Sequence, residues 1–106
     1  MPDQTTDKLR LELRRGAIVL AVLAQLRKEQ YGYSLRQELL AAGISVDEGT
    51  LYPLIRRLEQ QGLLDSEWRV EERRRKRFYR LSEQGQDTLR TLREEWQHLS
   101  CALNVQ

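Results

Sequence analysis

Apolar residues along the chain keep two rhythms, and the changes of rhythm mark its elements. From about Lys8 to Lys28 they recur at three-and-four spacing, with Leu9, Leu13, Ala17, Leu20 and Ala24 on one stripe of a helix and Ile18, Val22 and Leu26 on a second. Two stripes call for two partners: the domain's own core takes one, and the other needs a surface outside it. A second helix over about Tyr33 to Ala41 carries Leu35, Leu39 and Leu40 and stops at Gly43, a residue suited to left-handed backbone. A third is expected from an N-cap at Asp47 to Gly62, with Glu48 in the first turn, where a carboxylate suits the helix dipole. Ser45, which opens the capping-box string 45-SVDE-48, is a rival start.

The rhythm then drops to two. In 63-LLDSEWRV-70, Leu64, Ser66, Trp68 and Val70 fall on one face and Asp65, Glu67 and Arg69 on the other, the mark of an amphipathic strand. The segment 77-RFYRL-81 is its expected antiparallel partner, with Tyr79 and Leu81 facing inward. Between them, 71-EERRRK-76 has no Gly or Asn to make a tight turn, so a longer, flexible hairpin loop is expected. From a cap at Ser82 to about Leu103 the helical rhythm returns, with Leu89, Leu92, Trp96, Leu99 and Leu103 forming a seam of coiled-coil type, two heptads long. Residues 1–7 are polar and without period, and are expected to be a loose tail. The domain boundaries that follow are 8–82 for the helices and hairpin and 83–106 for the last helix.

One position breaks the pattern. Pro53 sits among Leu51, Leu54, Ile55 and Leu58, on what should be a regular helix, where its ring crowds the carbonyl four residues back and removes a hydrogen bond. With the helix capped at Asp47, that carbonyl belongs to Gly49, which has no side chain to restrict adjustment. A locally bent helix start is the expected result.

Composition narrows the class. A single domain of 106 residues can bury roughly two-thirds of its unfolded surface, and 40% hydrophobic with 32% charged residues fits a globular chain. The longest nearly apolar run, 16-GAIVLAVLAQL-26, is eleven residues, about half of what a bilayer requires. No leader-like segment opens the chain and Cys101 is the only cysteine, so a reducing cytoplasm is the expected location. The net charge of +2 conceals an asymmetry, since Arg69 to Arg80 holds seven Lys/Arg against Glu71 and Glu72. A basic segment of this kind points to a polyanionic partner at one place. His98 is the only histidine; without a second His, a Cys pair or an adjacent nucleophile it makes neither a metal site nor a triad, so no catalytic residue, metal or cofactor is expected.

Three helices followed by a hairpin with a basic tip form the layout of a winged helix-turn-helix, mainly α with a two-stranded β-wing and a long C-terminal helix. A helix fits the major groove of duplex DNA, and a basic hairpin can reach phosphates or the minor groove beside it. The strings 31-YGYSLRQELLAAG-43, 49-GTLYPLIRRLEQQGLL-64 and 76-KRFYRLSEQGQDTL-89 resemble the PadR family of bacterial transcriptional regulators, in its small subclass with a single C-terminal dimerisation helix. The resemblance spans roughly residues 10 to 100, and the wing's basic run is longer than in many relatives. It implies a repressor acting as a homodimer on double-stranded DNA, with the GTLYP segment facing the duplex.

Under that reading the DNA-binding candidates are Ser34, Gly49, Thr50, Tyr52, Pro53 and Arg56, together with Arg73, Arg74, Arg75, Lys76 and Arg77 of the wing. Tyr52 can donate to a phosphate, and Thr50 offers a hydroxyl and a methyl to a base. The bland alternative for the helix residues is an ordinary exposed face, and for the wing a solvated charge run. Arg57 could instead pair with Glu59 or Glu38. Tyr31, Tyr33, Phe78 and Tyr79 are expected in or at the edge of the core, and Trp68 as the strand's anchor to it. Leu9, Leu13, Leu89, Leu92, Trp96, Leu99 and Leu103 are expected to dimerise through a twofold contact. Trp96 either packs there or lines a cavity between subunits, where the resemblance implies that some relatives receive a flat aromatic effector; packing ranks first. The rival function is a protein-interaction module that docks an acidic partner on the basic wing.

Overall fold

The computed structural model describes residues 3–104. Helix α1 spans Gln4–Gln25, followed by strand β1 (Gln30–Tyr31), α2 (Gly32–Ala41), α3 (Glu48–Gln60), β2 (Leu64–Glu71), β3 (Arg74–Leu81) and α4 (Glu83–Leu103). Helix α1 begins four residues earlier than expected because Asp3 caps it, its carboxylate accepting from the Thr6 amide at 2.8 Å. Of the expected loose tail, residues 4–7 are therefore helical, and the first two residues lie outside those described. The Thr6 bond holds the Asp3 carboxyl below its ordinary range.

The ends of α2 and α3 are set by the two glycines that follow them. At Gly43 (φ +90°) the chain turns left-handed, the Gly43 amide donating to the Leu40 carbonyl and Ile44 to Leu39; at Gly62 (φ +81°) the same pair of bonds runs from Gly62 to Glu59 and from Leu63 to Leu58. Asp47 is the N-cap of α3, as expected, although its carboxylate makes no capping bond; its backbone carbonyl accepts from Thr50 and Leu51. The α2–α3 connection is tied down by arginines, Arg36 Nε donating to the Val46 carbonyl at 3.0 Å and Arg14 to the Ser45 carbonyl at 2.9 Å.

Two expectations about the sheet are corrected. The hairpin has a third strand: β1 pairs antiparallel with β3, Gln30 opposite Tyr79 and Tyr31 opposite Phe78, giving the order β1-β3-β2. Two residues are too short for any periodicity to announce. The wing tip is also a tight turn, with Glu71 opposite Arg74 and only Glu72 and Arg73 between, at φ +52° and +65°. Both central residues occupy the left-handed region that a two-residue hairpin turn of this hand requires, without the Gly or Asn that usually supplies it.

The core is built from the inner faces of the helices and the base of the hairpin: Val22 and Leu23 of α1 with Leu26 at its C-cap, Leu35 and Leu39 of α2, Leu51, Ile55 and Leu58 of α3, with Leu64, Leu81 and Leu89. Helix α4 is seated by Ser82, whose hydroxyl accepts from the Gly85 amide and donates to the Gly62 carbonyl at 2.6 Å. Gly85 is required there, because a Cβ would stand 2.0 Å from the Leu63 carbonyl oxygen. Leu89, expected from its rhythm on a dimer seam, is 4% exposed and belongs to the domain's core.

Candidate nucleic-acid interface

Helix α3 turns Leu51, Ile55 and Leu58 inward, so Gly49, Pro53, Arg56, Arg57 and Gln60 stand on its outer face, all exposed. Pro53 is central to that face. It is the sixth residue of the helix, counting Glu48 as the first, and the helix continues through it to Gln60. Thr50 and Tyr52 occupy the flanks: Thr50 borders a cleft with Arg15, Ile18, Pro53, Leu54 and Arg57, while Tyr52 leans toward the wing. The Tyr52 ring lies on the backbone of Gly32, where a Cβ would approach its Cε1 to 2.8 Å. Ser34, in the first turn of α2, donates its hydroxyl to the Tyr31 carbonyl at 3.0 Å.

Between α3 and the wing runs a groove of about 440 Å³, bordered by Tyr31, Tyr33, Tyr52, Arg56, Trp68, Lys76, Arg77 and Tyr79. The aromatic positions differ from expectation. Trp68 is 51% exposed rather than anchored in the core, and Tyr33 is 57% exposed. Past Leu64 and Ser66 the strand face that carries Trp68 and Val70 is exposed, with Arg77 and Arg75 as its cross-strand neighbours. Both guanidinium groups lie over the Trp68 ring, Arg75 at 4.6 Å and Arg77 at 5.5 Å from its centroid. Phe78 is buried on the opposite face, edge-on to Tyr31 at 5.5 Å, and Tyr79 is half-buried, which pushes its phenol pKa up.

The basic run separates into two groups. Arg73, Arg74 and Arg75 are exposed at the tip. Lys76 and Arg77 are held within the domain: Lys76 lies 4.4 Å from the Tyr31 ring centroid and 4.0 Å from Glu71, while Arg77 donates to both carboxylate oxygens of Glu59, at 2.9 and 3.0 Å, and through Nε to the Ser66 hydroxyl at 2.9 Å. Glu59 thus pairs with Arg77 rather than Arg57, and Glu38 with Lys28. A second pair ties the back of the wing to the turn between α1 and β1: Arg69 grips Glu29 in a bidentate pair at 2.6 and 2.8 Å and also contacts Glu67. Their separation of forty residues in sequence left no local signal.

A helix with an exposed outer face, a turn that sets it on a second helix, and a basic hairpin alongside define a winged helix-turn-helix of the DNA-binding kind. Residues 19–91 match the transcriptional regulator PadR-like family, and the chain belongs to it. It is 43% identical over 79 residues, 74% of each chain, to the transcriptional regulator Rv3488 of Mycobacterium tuberculosis. Among solved structures it resembles a PadR family transcriptional regulator from Eggerthella lenta (42% identity, TM-score 0.86, covering 95% of this chain and 90% of that one). It also resembles a transcriptional regulator from Clostridium thermocellum (26% identity, TM-score 0.80, 88% and 95%). The protein is a transcriptional regulator of the winged-helix class, and no helix among the described residues is long and apolar enough to cross a membrane.

Proposed function

We propose that the protein is a homodimeric repressor that reads a palindromic operator with two copies of α3 and holds the flanking backbone with the wing. The observation that carries this reading is the exposed face of α3, where Gly49, Thr50, Pro53 and Arg56 stand beside a wing tip bearing Arg73, Arg74 and Arg75. Thr50 and Arg56 read base edges, with Gly49 and Pro53 letting the backbone come close; Tyr52 and Ser34 serve phosphates, and the wing arginines neutralise phosphates alongside. The twofold contact uses Leu9 and Leu13 of α1 with Trp96, Leu99 and Leu103 of α4, all exposed, and Leu92 at their inner edge. It sets the two reading helices about 34 Å apart, one turn of DNA. In this reading a flat aromatic effector that relieves repression stacks on Trp96 between subunits.

The test begins with duplexes enriched by the protein from random sequence. Tyr52→Phe should weaken binding to the selected duplex, roughly fivefold for the loss of one phosphate hydrogen bond, with the thermal melt unchanged. Unchanged affinity in a fluorescence titration removes Tyr52 from the interface. Equal affinity of the wild-type protein for selected and scrambled duplexes overturns the reading as a whole.

A further inference from the structure

The carboxylate of Glu59 lies three-quarters buried, in the last turn of α3, and is fully engaged. It receives two hydrogen bonds from Arg77 of β3 and one from the Ser66 hydroxyl of β2, and Ser66 in turn accepts from Arg77 Nε. Three side chains from three elements thus close a ring of hydrogen bonds. Ser66 and Tyr79 face each other across the strands, and the Arg77 guanidinium lies 5.7 Å from the Tyr79 ring and 5.5 Å from the Trp68 ring. Arg77 is therefore gripped by a carboxylate and flanked by aromatic rings.

We propose that Glu59 and Arg77, joined through Ser66, are positioning residues that fix the angle between the reading helix and the wing, so that base contacts and backbone contacts come into register together. The inference rests on the DNA-reading role above. The back of the wing is held by β1 and by the Arg69–Glu29 pair, whereas on the side that faces α3 the ring of Glu59, Arg77 and Ser66 ties it to the helix, beside Tyr79 at the margin of the core. A bidentate Arg–carboxylate pair has a fixed planar geometry and transmits orientation where a single contact would not. Arg77, although part of the basic run, uses its guanidinium inside the protein, whereas Arg73, Arg74 and Arg75 remain available outside.

Electrostatics and positioning predict opposite signs. Glu59 is an acid beside a DNA-facing surface, so its removal by simple charge should tighten binding to every duplex. If it positions the wing, specificity falls instead. The conservative variants Glu59→Asp and Arg77→Lys keep every charge and lose the bidentate fit, and they accompany Glu59→Gln and Arg77→Gln in titrations of the full-length protein with selected and scrambled duplexes over a range of salt. All four should lower the ratio of selected to scrambled affinity by about tenfold, and Glu59→Gln/Arg77→Gln should lose no more than either single change, as for residues acting through one contact. Arg77→Gln should leave the slope of log affinity against log salt unchanged. A ratio unaltered in Glu59→Asp and Arg77→Lys, additive losses in the double variant, or a slope lowered by about 0.9 in Arg77→Gln, the signature of a lost phosphate contact, overturns the proposal. A wild-type protein that does not prefer its selected duplex defeats the DNA-reading role itself, and that result is visible before any variant is made.

Discussion

Glu72 and Arg73 show what a single residue can cost. Both have positive φ, and an L-residue with a side chain loses roughly 1–2 kcal/mol in that region. The turn is nevertheless tight, because Glu71 and Arg74 are paired directly across it and the strands behind are in register as far as Leu64 and Leu81. Arg73→Gly removes one such penalty. It should stabilise the wing by up to about 1 kcal/mol, seen as a roughly fivefold slowing of amide hydrogen exchange in β2 and β3, while DNA binding weakens through the lost charge. Faster exchange in the glycine variant would show that the turn is not strained at this position. Pro53 is the opposite case: a residue that looks unsuited to its helix sits on the exposed face, four residues after the equally exposed Gly49.

At the scale of elements, the wing is a small sheet with a divided surface. Its inner end belongs to the core through Leu64 and Leu81, and its outer end carries exposed arginines and a tryptophan covered by cations. Arg74 and Arg75, exposed at the tip, should each neutralise about one phosphate. Replacing both by alanine should flatten the dependence of log affinity on log salt by up to about two units and reduce binding to selected and scrambled duplexes alike. A salt dependence identical to that of the wild type would show that the wing tip stays clear of the duplex. Helix α4 is divided in the same way: Leu89 is buried in the core and Leu92 packs at its margin, while Trp96, Leu99 and Leu103 are exposed.

The whole molecule is elongated, 53 Å by 33 Å by 24 Å. Its length comes from helices longer than its core. The first half of α1 leaves Leu9, Leu11 and Leu13 exposed, the last of these at 71%, and the final turns of α4 leave Leu99 and Leu103 exposed. Each such side chain returns roughly 1.5–3 kcal/mol when fully covered, and a row of them is a surface that association would hide. Leu13→Glu combined with Leu99→Glu should therefore convert a dimer to a folded monomer in sedimentation at micromolar concentration and lower operator affinity together with it. A wild-type protein that already sediments as a monomer would leave the twofold reading without support.

What the sequence determined by itself was local. Hydrophobic period placed four helices and a hairpin, Gly43 and Gly62 marked the ends of α2 and α3, and Ser82 announced the start of α4, because each depends on residues within a few positions of one another. The candidate reading face was legible for the same reason: the inward rhythm of Leu51, Ile55 and Leu58 leaves its complement outside. Only the tertiary structure decided where long-range partners meet. It added β1 to the sheet, exposed Trp68, claimed Leu89 for the core, and closed Glu59, Ser66 and Arg77 into one network across three elements. Strand alternation tells which residues share a face but not how far the covering helices reach, and charge along a chain does not tell which cation will find a carboxylate eighteen residues away.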